Sequence, residues 1–214
     1  MTTIMRFANF YKIFIIIAAF SFFIFASKPN KNIKQIEYNT YILDTANSKL
    51  HWNCAHFGFM KFKKGKIILE KDNHPAKANF TIDMLSVTNT DIDNKLLQGT
   101  LQNVLKSVEF FNTKEYPESH FESHSFDKIN ENKYKITGDF IIFDIGLCFD
   151  FEGTIELKND SLYFNTKAII LDRTYWGIFY GSANNPKPKE EEEGFVVTDT
   201  ILLDAHIRAY IKPE

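Results

Sequence analysis

The chain has 214 residues, is 44% hydrophobic and carries a net charge of −2 at neutral pH, so it can form one domain with a sizeable core. The charge argues against a nucleic-acid partner, because phosphate binding requires a basic face. The two cysteines, Cys54 and Cys148, have no Cys-x-x-Cys or Cys/His spacing, which argues against structural zinc. They form either one disulfide or two small buried hydrophobic side chains.

The N-terminal residues 1–27 are predicted to be a signal peptide or a signal anchor. Arg6 and Lys12 precede an uncharged apolar run, Ile13–Ala26, that is short for a membrane span and suits the core of a secretory signal. Cleavage near Ser27 and an uncleaved anchor both stay open. In either case we expect a periplasmic or secreted protein, in the second case anchored to the membrane. Residues 28–40 are predicted to be a polar linker, and residues 41–214 the folded domain.

Alternation of apolar and polar residues predicts strands through most of that domain. Runs of this kind begin at Tyr41 and include Leu50–Cys54, Ala76–Met84, Ser119–Phe126, Tyr134–Ile142, Leu147–Glu152 and Phe195–Ile211. We expect Gly58 and the basic stretch Lys61–Lys66 to interrupt the second of these strands with a turn, before a new strand begins at Ile67. Asn159-Asp160 predicts a hairpin turn between Thr154–Leu157 and Leu162–Leu171. The stretch 186–194 predicts a charged loop.

One segment departs from this pattern. Between Lys95 and Phe121, five apolar residues recur at helical spacing: Leu97, Leu101, Val104, Leu105 and Val108. Phe110 and Phe111 end this stripe. One helix among about eight half-buried strands predicts a β-barrel or sandwich with a single lid. A barrel of eight strands is either filled by its own side chains or holds one small ligand.

Several motifs occur in order along the domain: Tyr41-Ile42-Leu43-Asp44, Ser48-Lys49-Leu50-His51-Trp52, Leu105–Phe111 with Tyr116-Pro117, Ile136-Thr137-Gly138-Asp139-Phe140, and Leu171–Gly177. Together they resemble the YceI-like family of polyisoprenoid-binding and other lipid-binding proteins. The resemblance implies an all-β fold, an eight-stranded antiparallel lipocalin-like barrel with one helix inserted as a lid. It also implies an exported protein that holds a long isoprenoid, such as a polyprenyl lipid or a quinone tail, in its lumen. The stretch Ile142–Gly146 lacks the histidine of the family's short hairpin, so the hairpin tip is expected to differ.

The candidate ligand-binding residues fall into three groups. The predicted lumen residues are Trp52, Phe80, Ile82, Phe140, Phe164, Ile201 and Leu203, and the alternative is that they are packed core. Phe110 and Phe111, with Tyr116, form either a lid or a cluster that fixes the helix to the barrel. Arg173 and Trp176 form the third group. Arg173 either meets a lipid head group or, as we favour, forms an ion pair with Asp172 that anchors a bend.

The sequence predicts no catalytic residues and no metal site. No Gly-x-Ser-x-Gly turn is present, and His120 and His124 would lie about 13 Å apart along one strand. The predicted function is binding of an isoprenoid or other amphiphilic lipid for storage or transport, with no cofactor apart from a bound lipid or quinone. A membrane-bound donor or acceptor is expected, and a homodimer stays open. The alternatives are a filled-barrel structural or stress protein of the envelope and, less favoured, an enzyme acting on a quinone-like lipid.

Overall fold

A computed structural model describes residues 37–187 and 196–212. The predicted signal segment 1–27, the linker up to residue 36 and residues 188–194 of the charged loop lie outside the described residues. Within the described ranges, no helix is both long and apolar enough to cross a bilayer.

The described residues form ten β-strands and one α-helix. The strands are β1 (Tyr38–Leu43), β2 (Lys49–Asn53), β3 (Phe57–Glu70), β4 (Pro75–Asn89), β5 (Glu118–Lys128), β6 (Lys133–Ile142), β7 (Ile145–Lys158), β8 (Ser161–Thr166), β9 (Ile169–Asp172) and β10 (Thr200–Ile211). Helix α1 (Lys95–Lys106) lies between β4 and β5, and a single 3₁₀ turn (Arg173–Trp176) follows β9. Strand β1 thus begins three residues before the predicted Tyr41, and β10 begins at Thr200 instead of Phe195.

The strands close into an antiparallel ring of eight, which confirms the predicted barrel. The ring runs β2–β3–β4–β5–β6–β7–β8–β10 and closes where β10 pairs with β2. The two short strands β1 and β9 extend this ring. Strand β1 pairs with the far ends of β10 and β3, beyond the part of each that β2 occupies, and β9 pairs with the start of β10. Closure leaves few exposed strand edges, which suits a stable all-β protein.

The predicted turn at Lys61–Lys66 is wrong, because β3 runs unbroken from Phe57 to Glu70. The register between β3 and β4 shifts between Phe62 and Lys64, and this bulge accounts for two consecutive exposed lysines, Lys63 and Lys64. Gly58 does not break the strand either. A Cβ at Gly58 would lie 1.9 Å from the carbonyl oxygen of Thr88, so glycine allows the two backbones to approach closely.

Helix α1 is shorter than the apolar stripe predicted. The side chain of Asn94 caps its start by accepting hydrogen bonds from the backbone N–H groups of Leu96 and Leu97. The helix ends at Lys106, where the Ser107 hydroxyl donates to the carbonyl of Val104. Val108 therefore lies outside the helix and is 73% exposed.

Positive-φ residues shape the turns after β6 and β7 and the break between β8 and β9. The turn between β6 and β7 consists of Phe143 and Asp144, with φ of 54° and 60°, and this pair replaces the hairpin tip that the family resemblance implied. The predicted hairpin at Asn159-Asp160 is confirmed, with Asn159 at φ 54°. The strand predicted after it splits into β8 and β9 because Ala168 adopts φ 54°.

Candidate functional site

An apolar cavity of about 200 Å³ lies at one end of the barrel, beside the lid formed by α1 and the loop after it. Leu101, Val104 and Leu105 of α1 line it, followed by Phe110 and Phe111 of the loop. The strands β2, β3, β4, β5, β6, β9 and β10 supply most of the remaining wall. Irregular segments add Cys54, Ala55, His56, Tyr180, Val196 and Val197. The helix is thus the lid that the sequence predicted.

Most of the predicted ligand-binding residues line this cavity: Trp52, Ile82, Phe110, Phe111, Phe140, Ile201 and Leu203. Phe80 and Phe164 instead line a second cavity of about 20 Å³, deeper in the barrel. Arg173 and Trp176 line neither of the two. Tyr116 packs against Phe143 with 5.1 Å between ring centroids, so it supports the β6–β7 hairpin. Whether the lining residues contact a ligand stays a prediction.

Of the 23 residues that line the cavity, sequence reasoning assigned seven to the site and missed 16. Leu50 shares a strand face with the predicted Trp52, and Met84 shares one with the predicted Ile82, so the period-two pattern could have identified both. Met60 lies on β3, from which no lumen residue was predicted. Leu101, Val104 and Leu105 were predicted as the helix stripe without a role in the cavity. Val196, Val197 and Tyr180 come from irregular segments, where no periodicity marks the buried side.

The few polar groups in the wall have partners within the protein. His56 Nδ1 lies 2.7 Å from the Asp91 carboxylate, and His120 Nδ1 lies 3.2 Å from the hydroxyl of Thr81. Desolvation acts to raise the pKa of Asp91. The hydrogen bonds from His56, from the Asp91 backbone N–H and from Asn89, with the electrostatic attraction of His56, together outweigh it and lower that pKa. The wall is therefore suited to an apolar guest, and two imidazole rings are among its few polar groups.

Neither cysteine forms a disulfide. Cys54 is partly buried in the wall, where its thiol donates to the Thr198 carbonyl at 3.4 Å, and burial raises its pKa. Cys148 is exposed, so the prediction that both are buried does not hold for it. Ser119 in the wall donates to the sulfur of Met84 at 3.1 Å. Burial, by raising the pKa of Cys54, favours the protonated thiol over the nucleophilic thiolate. The Ser119 hydroxyl contacts a thioether, which is not a general base.

Arg173 is buried, and its ion-pair partner is Asp199, so the predicted ion pair with Asp172 is wrong. The role of Arg173 toward a head group stays a prediction. Asp172 caps the 3₁₀ turn by accepting from the backbone N–H of Thr174. The Arg173 guanidinium, 1% exposed, donates to the carbonyls of Thr198, Ile178 and Val197 at 3.1, 2.8 and 3.2 Å. It lies 3.2 Å from the Asp199 carboxylate and 5.6 Å from the Phe110 ring.

Through these contacts, Arg173 positions the cavity wall without touching the cavity. Val197 and Phe110, which it contacts, both line the space. Trp176 has a similar indirect role. Its indole N–H donates to the Ile145 carbonyl at 3.0 Å, and its ring stacks on Phe149 at 5.6 Å, so the 3₁₀ turn covers the first half of β7.

Three side chains of the types that ligate metal ions lie together on the outer face of β5, β6 and β7. The ligand atoms of His124, Asp139 and Cys148 are within 4.8 Å of one another, and His124 Nε2 lies 3.0 Å from Asp139 Oδ1. Spacing along one strand could not reveal this group, because each residue comes from a different strand. None of the three lines either cavity.

The comparisons with known proteins agree with this architecture. The family model of the YceI-like domain matches residues 41–209. BcnA of Burkholderia cenocepacia aligns with a TM-score of 0.60 at 20% identity, covering 78% of this chain and 99% of that one. No curated sequence gives a significant match.

Two further solved structures share the fold. A polyisoprenoid binding domain from Saccharophagus degradans, described as implicated in plant cell wall breakdown, aligns with a TM-score of 0.57 at 13% identity, over 83% of this chain and 100% of that one. The Campylobacter jejuni YCEI protein aligns with a TM-score of 0.50 at 21% identity, over 66% of this chain and 75% of that one. At such identities the structures establish a common fold.

Proposed function

The chain belongs to the YceI-like family, and from this premise we propose that it is an exported protein that binds an isoprenoid or other amphiphilic lipid, for storage or transport. The apolar part of the lipid would occupy the cavity beside α1, and the polar head would face the mouth. The proposal includes no chemical change of the lipid.

The observation that carries this proposal is an apolar cavity inside an otherwise packed barrel. Its wall combines Leu, Ile, Val, Met and aromatic side chains from the lid and the strands. Each methylene transferred from water into such a space contributes roughly 0.8 kcal/mol, so an alkyl or prenyl chain binds without specific polar contacts. A barrel filled along its whole length, the structural alternative, would lack this space.

The polar groups of the wall support binding over catalysis. Burial raises the pKa of Cys54, which disfavours the nucleophilic thiolate. His56 and His120 each engage a protein partner through Nδ1, which leaves Nε2 of each ring for a head group. A hydroxyl suits both rings, because it can either donate to Nε2 or accept from it. The solved polyisoprenoid binding domain with the same fold also favours a lipid ligand.

Export and delivery complete the proposal. The apolar run Ile13–Ala26 supports targeting to the periplasm or the exterior. A lipid of this kind does not diffuse freely in water, so we propose a membrane-bound donor or acceptor.

The direct test is mass spectrometry of the organic extract of the protein purified from its native envelope. We expect an isoprenoid, quinone or related lipid in a stoichiometric amount. Met84→Trp fills the cavity and should abolish lipid retention, whereas Leu85→Trp, at the next position of β4 and 53% exposed, should retain it. Circular dichroism would establish that both variants fold. A clean wild-type extract, also after incubation with polyprenyl lipids and quinones, would refute the proposal.

A further inference from the structure

We propose that the cavity is closed at its inner end by Phe140, and that this residue limits how much of a ligand tail the barrel can bury. The inference rests on the proposed function and specifies its ligand class. The favoured ligand is an amphiphile whose buried apolar part is short, about eight carbon atoms, and any longer portion extends out of the mouth.

The two cavities follow one another along the barrel. Strand β10 contributes Ile201 and Leu203 to the larger cavity and then Ala205 and Ile207 to the smaller one. The residues common to both walls form a partition between them: Leu50, Ile82 and Phe140. All three are buried, and Phe140 is the aromatic member of the partition.

Beyond the partition, stacked aromatic rings fill the barrel. Phe80 lies between Phe121 and Phe164, with centroid distances of 6.2 and 6.1 Å and interplanar angles of 15° and 19°. Phe140 joins this stack through Phe121 at 5.0 Å and Phe151 at 5.9 Å. A tail cannot pass Phe140 without displacing rings that contact one another on several sides.

The rings occupy the space that small residues on neighbouring strands leave open. A Cβ would lie 2.5 Å from a Phe80 ring atom at Gly65, 2.7 Å from Phe121 at Gly138 and 2.7 Å from Phe164 at Gly153. Each of these three glycines is therefore covered by a phenylalanine. The inner half of the barrel is built as packed core, and the outer half as a cavity.

The cavity volume sets the length of tail that fits. A protein cavity of about 150 Å³ accommodates the six carbons of benzene. In proportion, the cavity of about 200 Å³ holds about eight carbon atoms. Each methylene buried should tighten binding about fourfold until this length is reached, and further methylenes at the mouth should add little.

The experiment measures the affinity of the full folded domain for n-alkanols of about six to fourteen carbons, by calorimetry. Wild type should gain about fourfold per methylene up to about eight carbons and then level off. Phe140→Leu and Phe140→Ala should move this break, the chain length at which the affinity levels off, to longer alkanols. The matched control is Phe126→Leu, because Phe126 is buried on β5 and lines neither cavity; it should keep the wild-type break.

The outcomes separate the two proposals. Affinity that rises through the longest alkanol in wild type would overturn the length limit while leaving lipid binding intact. An unchanged break in Phe140→Leu, in a variant with a cooperative melting transition, would also overturn it. Wild type that binds no alkanol and yields no lipid on extraction would refute the proposed function, and the inference with it. Phe140→Leu removes less volume than Phe140→Ala and keeps the test available if the latter does not fold.

Discussion

Replacing Arg173 with methionine should lower the stability of the domain far more than the loss of an exposed arginine would. Methionine retains an apolar stem of similar length but removes the guanidinium, which is buried between two irregular segments. It leaves the carbonyls of Ile178, Val197 and Thr198 without this donor, and Asp199 without its cation.

The size of the effect follows from these contacts. Removing one member of a buried ion pair costs about 3–5 kcal/mol, because the remaining charge and dipoles lose their compensation. Three donated hydrogen bonds from a charged group support the upper part of that range. For a domain of this size, each kcal/mol lowers the melting temperature by about 2–4 °C, so we expect a decrease of about 10 °C or more.

Urea unfolding followed by far-UV circular dichroism measures the change in the free energy of unfolding. Arg208→Met is the matched control: Arg208 lies on β10 with an exposed side chain, and its loss should cost less than about 1 kcal/mol. The loss of unfolding free energy in Arg173→Lys should lie between those of the two methionine variants, since lysine keeps the charge and loses the planar guanidinium. A loss in Arg173→Met no larger than in Arg208→Met would refute the structural role assigned to this guanidinium.

Three further predictions concern other parts of the barrel. Asp91→Asn should lower the melting temperature of the domain at neutral pH, and this difference from wild type should shrink below about pH 4. The reason is that a carboxylate with a lowered pKa contributes stability only while it is ionised. An equal difference in melting temperature across this pH range would contradict the prediction. Desolvation and the Asp139 carboxylate raise the pKa of Cys148. Asp139→Asn should therefore speed alkylation of this thiol at pH of about 8, measured by intact-mass spectrometry. An unchanged alkylation rate would exclude this electrostatic effect. Gly58→Ala should lower the free energy of unfolding, measured with urea, by at least about 1–3 kcal/mol, because the alanine Cβ would collide with the backbone of β4. Gly99→Ala on α1, where nothing lies within 4 Å, should stabilise the helix by about 0.5–1 kcal/mol, and similar effects at both glycines would refute the close approach.

The resemblance of ordered motifs was sufficient to identify the family and the barrel, and the period-two pattern located most strands. The period-two pattern failed at β3, because the alternation of buried and exposed residues shifts by one between Lys63 and Lys64. A single strand with a bulge and two strands joined by a basic turn have the same local sequence. Pairing with β4 decides between them, because the hydrogen bonds of β4 continue past the slip.

The site was predictable to the extent that it lies on regular strands. Trp52, Ile82 and Leu203 were identified because alternate residues of a strand face the same side. Val197 was not identified, because it lies outside any strand. The ion pair of Arg173 with Asp199, 26 residues apart in the chain, was not identified either. Contacts between irregular segments have no periodicity that a sequence could reveal.

By itself, the sequence determined which side chains share a face on the regular strands, because along an unbulged strand that property depends only on parity. The tertiary structure alone decided which part of the interior is open. Phe80 and Phe140 both face inward on strands of the same kind, yet Phe80 lies over Gly65 in the packed half and Phe140 stands at the partition. Their places depend on the register between strands distant in sequence and on the position of α1 at the barrel end. Both are properties of the closed sheet.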